Sequence, residues 1–156
     1  MTETKGATVA DNEKNFTAEE REAMKAAVAE KKATRSRAKK SPEELRAAGE
    51  ADIAAAIDKL VGGDRALAQG LHALVSEAAP HLMPRTYYGM PAWGKDGKVL
   101  CFFQPASKFK TRYGTFGFEQ PAQLDDGVLW PVAYALIELN DDTRAFLAER
   151  VRLAAG

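Results

Sequence analysis

The sequence has a single cysteine, no net charge and no long apolar run. Cys101 stands alone among 156 residues, so no internal disulfide can form, and we expect a reducing, cytoplasmic compartment. The 22 basic residues balance 22 acidic ones, which argues against a general attraction of the whole chain to nucleic acid. No stretch approaches the roughly 18 apolar residues of a membrane span, and residues 1–14 lack the apolar core of a signal peptide, so no membrane partner is expected.

Large apolar side chains are almost missing from the first 48 residues. Phe16 is the one aromatic residue there, and all the other aromatic residues follow. A segment with so little apolar surface cannot bury enough of it to offset the chain entropy lost on folding. We therefore predict a charged N-terminal extension over 1–48, disordered over 1–15 and otherwise partly helical, followed by a folded domain over 49–156.

Several polar residues carry helix-start signals. Thr17 and Glu20 have the spacing of a capping box, which predicts a helix from about residue 17 to the mid-thirties. Apolar residues at helical spacing predict a helix that ends at Gly62-Gly63 and a second helix that Pro80 closes. The predicted N-terminal caps of the helices are Thr17, Ser41, Asp64 and Asn140.

Between these helices the chain favours β-strands. Residues 85–93 and 97–104 flank Asp96-Gly97, a dipeptide that tolerates positive φ and strongly indicates a hairpin. Residues 109–118 and 132–139 are further strand predictions. Helices, then consecutive strands, then a helix are typical of an α+β fold. We predict an antiparallel β-sheet of about four strands packed against helices.

From Leu71 to its C-terminus the chain resembles the YdhG-like family of small bacterial domains of largely unknown function. The resemblance is carried by Tyr88-Gly89-Met90-Pro91-Ala92-Trp93, by residues 97–103 and by residues 109–116. It implies an α+β domain with a curved antiparallel sheet packed against helices. One branch of the family is described as a frataxin-like iron chaperone that feeds iron–sulfur cluster assembly. The resemblance therefore also implies iron as cargo and an acidic surface to hold it.

Aromatic and basic side chains suggest a binding groove. Residues 86–93 hold three large aromatic rings, and Tyr and Trp each combine a flat apolar body with one hydrogen-bonding group. Lys108, Lys110 and Arg112 alternate and would share one face of a strand, although an ordinary solvated sheet face has the same pattern. We predict a groove on the sheet for a small anionic ligand or an acidic protein partner, lined by Tyr87, Tyr88, Met90, Trp93, Lys110, Arg112 and Tyr113.

The sequence contains no recognisable catalytic or transition-metal motif. His72, His81 and Cys101 are not spaced like zinc ligands, and Cys101 lies in an apolar run without a nearby cation. Asp125-Asp126 and Asp141-Asp142 would suit a hard cation if their loops met, but a turn and a helix cap explain them equally well. We predict no enzymatic activity and no cofactor, with iron implied by the resemblance alone.

Residues 31–40 form a basic arm with six Lys or Arg side chains and no acidic one. Such an arm can bind phosphate backbones or an acidic partner through counterion release, and a solvated linker is the alternative. Three hypotheses follow. The first is a non-enzymatic cytoplasmic binding module, the second is a frataxin-like iron chaperone, and the third is weak nucleic-acid or acidic-partner binding through Lys31–Lys40.

Overall fold

The computed structural model describes residues 16–156, and the disorder predicted for residues 1–15 lies outside them. These residues form five helices and a five-stranded antiparallel sheet, which confirms the α+β class. The elements are, in chain order, α1 (Ala18–Arg37), α2 (Pro42–Asp58), α3 (Gly62–Ala78), β1 (Met83–Tyr87), β2 (Met90–Lys95), β3 (Lys98–Gln104), α4 (Ala106–Phe109), β4 (Gly114–Phe118), β5 (Ala133–Leu136) and α5 (Asp141–Ala155).

The strands lie side by side in chain order, β1 to β5, and each pairs with the next. The sheet has five strands instead of about four, because the run 85–93 reverses direction at Tyr88-Gly89. The φ angles there are 51° and 79°, which suit a two-residue type I′ turn between β1 and β2. Tyr rarely adopts positive φ, so residue type alone does not predict this turn.

The hairpin predicted at Asp96-Gly97 is confirmed and joins β2 to β3. Asp96 and Gly97 have φ angles of 52° and 76°, and they join Lys95 to its register partner Lys98. Both hairpins of the first three strands therefore use the same two-residue turn geometry.

The strand predicted over 109–118 is wrong in its first half. Ala106–Phe109 form the short helix α4, and Lys110 ends it with a φ angle of 54°. Strand β4 begins only at Gly114. Lys108, Lys110 and Arg112 consequently do not alternate along one strand face.

A long-range contact fixes this helical turn. Asp64 was predicted as the N-cap of α3, but that helix begins at Gly62 after Val61, and Asp64 is buried within its first turn. Its Oδ2 accepts a hydrogen bond of 2.9 Å from the Ser107 backbone N–H in α4.

The fourth predicted strand is also shorter than 132–139, since β5 covers only Ala133–Leu136.

The hydrophobic core lies between one face of the sheet and the helices α2, α3 and α5. Trp93, Cys101 and Phe118 are register partners across β2, β3 and β4, and all three are buried in this core. Ile53 and Ile57 of α2 belong to the same core, so the predicted boundary between residues 48 and 49 falls inside a core helix. Helix α1 lies instead against β1 and α4.

His72 of α3 connects two other elements through its ring nitrogens. Nδ1 accepts a hydrogen bond of 3.2 Å from the Trp93 indole N–H, and Nε2 lies 3.0 Å from Glu50 Oε2. Because Nδ1 accepts, the ring proton belongs on Nε2, where it is donated to the Glu50 carboxylate. The indole of Trp93 is only 1% exposed, so this bond satisfies a buried donor.

We expect His72→Leu to lower the free energy of unfolding by about 1–3 kcal/mol, because the buried indole N–H loses its partner. Urea unfolding followed by tryptophan fluorescence measures the loss. His81→Leu is the matched control, since His81 is exposed and makes no side-chain hydrogen bond within residues 16–156. Equal losses in the two variants would contradict this role of His72.

Candidate functional site

The predicted aromatic cluster is divided between the two faces of the sheet. Trp93 lies in the core, 1% exposed and bonded to His72, so its predicted place in a ligand groove is wrong. Tyr87 is half-buried and Tyr88 is 42% exposed, and their rings meet edge to face with centroids 4.8 Å apart. Met90 is buried but borders a hollow beside these two rings.

The predicted cations are not beside the tyrosine pair either. Lys110 Nζ lies 2.7 Å from Glu19 Oε1, and this ion pair raises the pKa of Lys110. The Arg112 guanidinium stacks over the Tyr113 ring at 5.0 Å from its centroid. Lys110, Arg112 and Tyr113 do not border the hollows next to Tyr87, because the left-handed turn at Lys110 takes them away from β4. The predicted groove is therefore not assembled from these residues.

The turn between β1 and β2 is held by side chains from two other elements. Glu30 of α1 accepts hydrogen bonds from the backbone N–H groups of Tyr88, at 3.1 Å, and Gly89, at 2.9 Å. Lys108 of α4 donates to the Gly89 carbonyl at 3.0 Å, and burial lowers the pKa of this lysine. Both carboxylate oxygens of Glu30 are thus engaged, and α1 is fixed to the turn.

A hollow of about 380 Å³ lies between α1 and β1, next to this turn. Two of its cations, Lys31 and Arg35, are one helical turn apart on α1, and Arg85 faces them from β1. Within residues 16–156 none of the three forms an ion pair, and Glu30 is the one acidic residue of the lining. We call this hollow the tyrosine cleft; its defining residues are Glu30, Lys31, Arg35, Arg85, Tyr87 and Tyr88.

The polar groups of the tyrosine cleft are mostly donors. Arg85 uses Nε for a hydrogen bond of 3.2 Å to the Thr86 carbonyl, which leaves its terminal guanidinium nitrogens without a protein acceptor in the described residues. Burial, followed by the negative charge of Glu119, raises the pKa of Tyr87. A hydrogen bond with the Glu119 side chain contributes to the same rise, so this phenol already has an acidic partner.

A second hollow, of about 430 Å³, adjoins the tyrosine cleft between α1, α2 and β1. Most of its surface is apolar. We call it the apolar groove; its defining residues are Ala33, Ala38, Leu45, Met83 and Pro84. The Arg37–Asp52 ion pair, 2.6 Å long, lies at its border and neutralises both charges there.

The basic arm is partly a continuation of α1. Lys31 and Arg35 border the tyrosine cleft, whereas Arg37 pairs with Asp52 of α2. Lys39 and Lys40 follow the end of the helix and are exposed. The basic side chains of the arm are thus distributed between the tyrosine cleft, the Arg37–Asp52 ion pair and solvent.

The sequence did not single out Arg85 or Glu30 for this site, because their partners are distant in the chain.

The described residues bring together no group of three or more His, Cys, Asp or Glu side chains that would hold a metal ion. Asp125 and Asp126 are exposed in a loop, and Asp141 and Asp142 occupy the first turn of α5 after its Asn140 cap. Cys101 is fully buried, and burial raises the pKa of its thiol.

Comparisons with known proteins provide no relative for this chain. No known protein family, no curated protein and no solved structure matches it. Along residues 16–156, no helix combines the length and the apolarity that crossing a membrane requires. Function is therefore inferred from the geometry of the tyrosine cleft and its surroundings.

We expect Glu30→Ala to release α1 from the β1–β2 turn, because two charge-assisted hydrogen bonds are lost. Native-state hydrogen exchange of the Tyr88 and Gly89 amides should accelerate by roughly tenfold or more. Glu77→Ala, on the exposed surface of α3, is the control and should leave these amides unchanged. Unchanged exchange in Glu30→Ala would show that the contact does not hold the helix.

Proposed function

We propose that the protein is a non-enzymatic binding module that takes a small anionic ligand in the tyrosine cleft. The observation that carries this proposal is the meeting of three cations without an ion pair, Lys31, Arg35 and Arg85, at the exposed side of two phenol rings. The cations favour a carboxylate or phosphate, and the rings offer a flat apolar surface for the rest of the molecule.

The charge pattern of α1 supports this proposal. Lys31 and Arg35 are four residues apart on one helix, and like charges at this spacing repel each other. Glu30 cannot relieve them fully, because its two oxygens bind backbone N–H groups of the turn. A bound anion would remove the repulsion, so binding and the docking of α1 favour each other.

Membership of the YdhG-like family stays a proposal, supported by the α+β fold and by the residues 88–93 that carry the resemblance. Iron cargo gains no support, since residues 16–156 bring together no group of three or more His, Cys, Asp or Glu side chains that could hold a metal ion. We also propose a cytoplasmic location, because the one cysteine is a buried thiol that needs no oxidising compartment. A nucleic-acid or acidic-protein contact through residues 31–40 is an alternative that the next experiment separates from the cleft.

We expect benzoate and phenyl phosphate to bind the full chain, and the double variant Lys31→Ala/Arg35→Ala to weaken this binding about tenfold or more. Two charge-assisted contacts to the anion are lost, each worth on the order of 1.5 kcal/mol. Isothermal titration calorimetry gives the affinities. Backbone amide shifts of Tyr88 and Gly97 in NMR spectra locate the ligand.

The matched control is Lys32→Ala/Lys39→Ala, which removes the same charge from exposed positions outside the cleft. It should leave the affinity for benzoate nearly unchanged. Equal weakening in both double variants would point to a diffuse basic surface of the kind that binds nucleic acid. Absence of binding by either anion would overturn the proposal.

We expect Asp96→Asn to strengthen benzoate binding by about two- to threefold, because a negative charge near the cleft is removed. Asp96 borders the apolar groove next to Gly97, which borders the cleft. Asn tolerates the positive φ of this turn, so the hairpin is retained. Asp125→Asn, in an exposed loop, is the control for net charge and should leave the affinity unchanged. A weaker affinity in Asp96→Asn would contradict anion selectivity at this cleft.

A further inference from the structure

The tyrosine cleft and the apolar groove form one continuous depression. Glu30, Thr34, Arg85 and Gly97 border both hollows. One end therefore offers cations and phenol rings, and the other offers a mostly apolar surface with the Arg37–Asp52 pair and Asp96 at its border. A small ring-shaped anion would occupy only the cationic end of this depression.

Several polar groups that border the apolar groove already have partners, whereas Asp96 at its border is exposed. Thr34 donates its hydroxyl to the Glu30 carbonyl at 2.9 Å. Arg37 and Asp52 satisfy each other at 2.6 Å. Helices α1 and α2 form one wall of the apolar groove, and the Met83-Pro84 segment of β1 forms the other. Such a surface gains free energy from covering apolar groups and little from binding polar ones.

We infer that the ligand is a free amphipathic anion with an alkyl chain, such as a monomeric fatty carboxylate. This inference rests on the proposed function of the tyrosine cleft. The carboxylate is bound by Lys31, Arg35 and Arg85, and the alkyl chain extends into the apolar groove beside Leu45 and Met83. The groove volume of about 430 Å³ is in the range of ordinary ligand pockets, so it accommodates an alkyl chain of moderate length.

The energetics of this arrangement give it a measurable signature. Each methylene group that leaves water for an apolar surface strengthens binding about three- to fourfold. Affinity should therefore rise with chain length until the groove is filled, and then stop rising. An anion bound only at the cations would show no such dependence.

The test is a calorimetric titration of the full chain with octanoate, decanoate and dodecanoate, each below its micelle-forming concentration. We expect about a tenfold gain for each added pair of methylenes. Decanol, which has the same chain without the charge, should bind at least tenfold more weakly than decanoate. Affinities that are equal for all three carboxylates would overturn the inference.

A groove-filling variant locates the alkyl chain. Ala33→Leu should reduce the gain from octanoate to dodecanoate at least threefold and leave the affinity for benzoate unchanged. Ala29→Leu lies on the same helix outside the apolar groove, and it should preserve the gain. If Ala33→Leu fails to fold, Leu45→Ala removes a wall of the groove and should weaken decanoate binding about threefold or more.

The outcomes separate this inference from the proposed function. Benzoate binding that depends on Lys31 and Arg35, without a chain-length dependence, would overturn the inference and leave the small-anion module standing. No binding of benzoate or of any carboxylate would overturn both. Co-sedimentation with phosphatidylglycerol vesicles, without binding of monomeric dodecanoate, would show that the cations recognise a lipid surface and would also overturn the inference.

Discussion

The carboxylate of Glu30, bound to two adjacent backbone N–H groups, determines the arrangement of the outer side of this protein. Those N–H groups belong to Tyr88 and Gly89, which adopt positive φ and reverse the chain between β1 and β2. The contact places α1 beside β1, and the space between them becomes the tyrosine cleft. It also occupies the one carboxylate of that cleft, so the nearby cations keep their charge available. One side-chain contact thus sets both the shape and the electrostatics of the site.

The two sides of the molecule are stabilised by different forces. Between the sheet and helices α2, α3 and α5, large apolar side chains such as Phe103 and Phe116 are fully buried. On the other side, Ala23 is the one buried residue of α1, and polar contacts attach the helix to its surroundings. Short alanine side chains fill little space, so hollows are left on both sides of α1. Room for a ligand is a direct result of this composition.

Local signals in the sequence predicted much of the fold. Asp96-Gly97 predicted its hairpin, and Asn140 predicted the start of α5, because both depend on residues close in the chain. The turn at Tyr88-Gly89 was missed, since it is held by a carboxylate 58 or 59 residues away. Alternation misled at Lys110, where a contact from Asp64 to α4 replaces the strand by a helical turn. The cleft combines residues from separate elements. Its cation outside the basic arm, Arg85, therefore belongs to no local sequence pattern that predicts a binding site.

Because charged contacts attach α1 to its surroundings, this helix and the apolar core respond differently to salt. Apolar burial in the core changes little with salt, whereas the exposed Glu19–Lys110 pair is screened as ionic strength rises. The Arg37–Asp52 pair is more shielded from solvent and holds the other end of the helix longer. Salt would therefore loosen α1 from its N-terminal end first, opening the hollow around Phe16 and Met24 while the sheet stays intact.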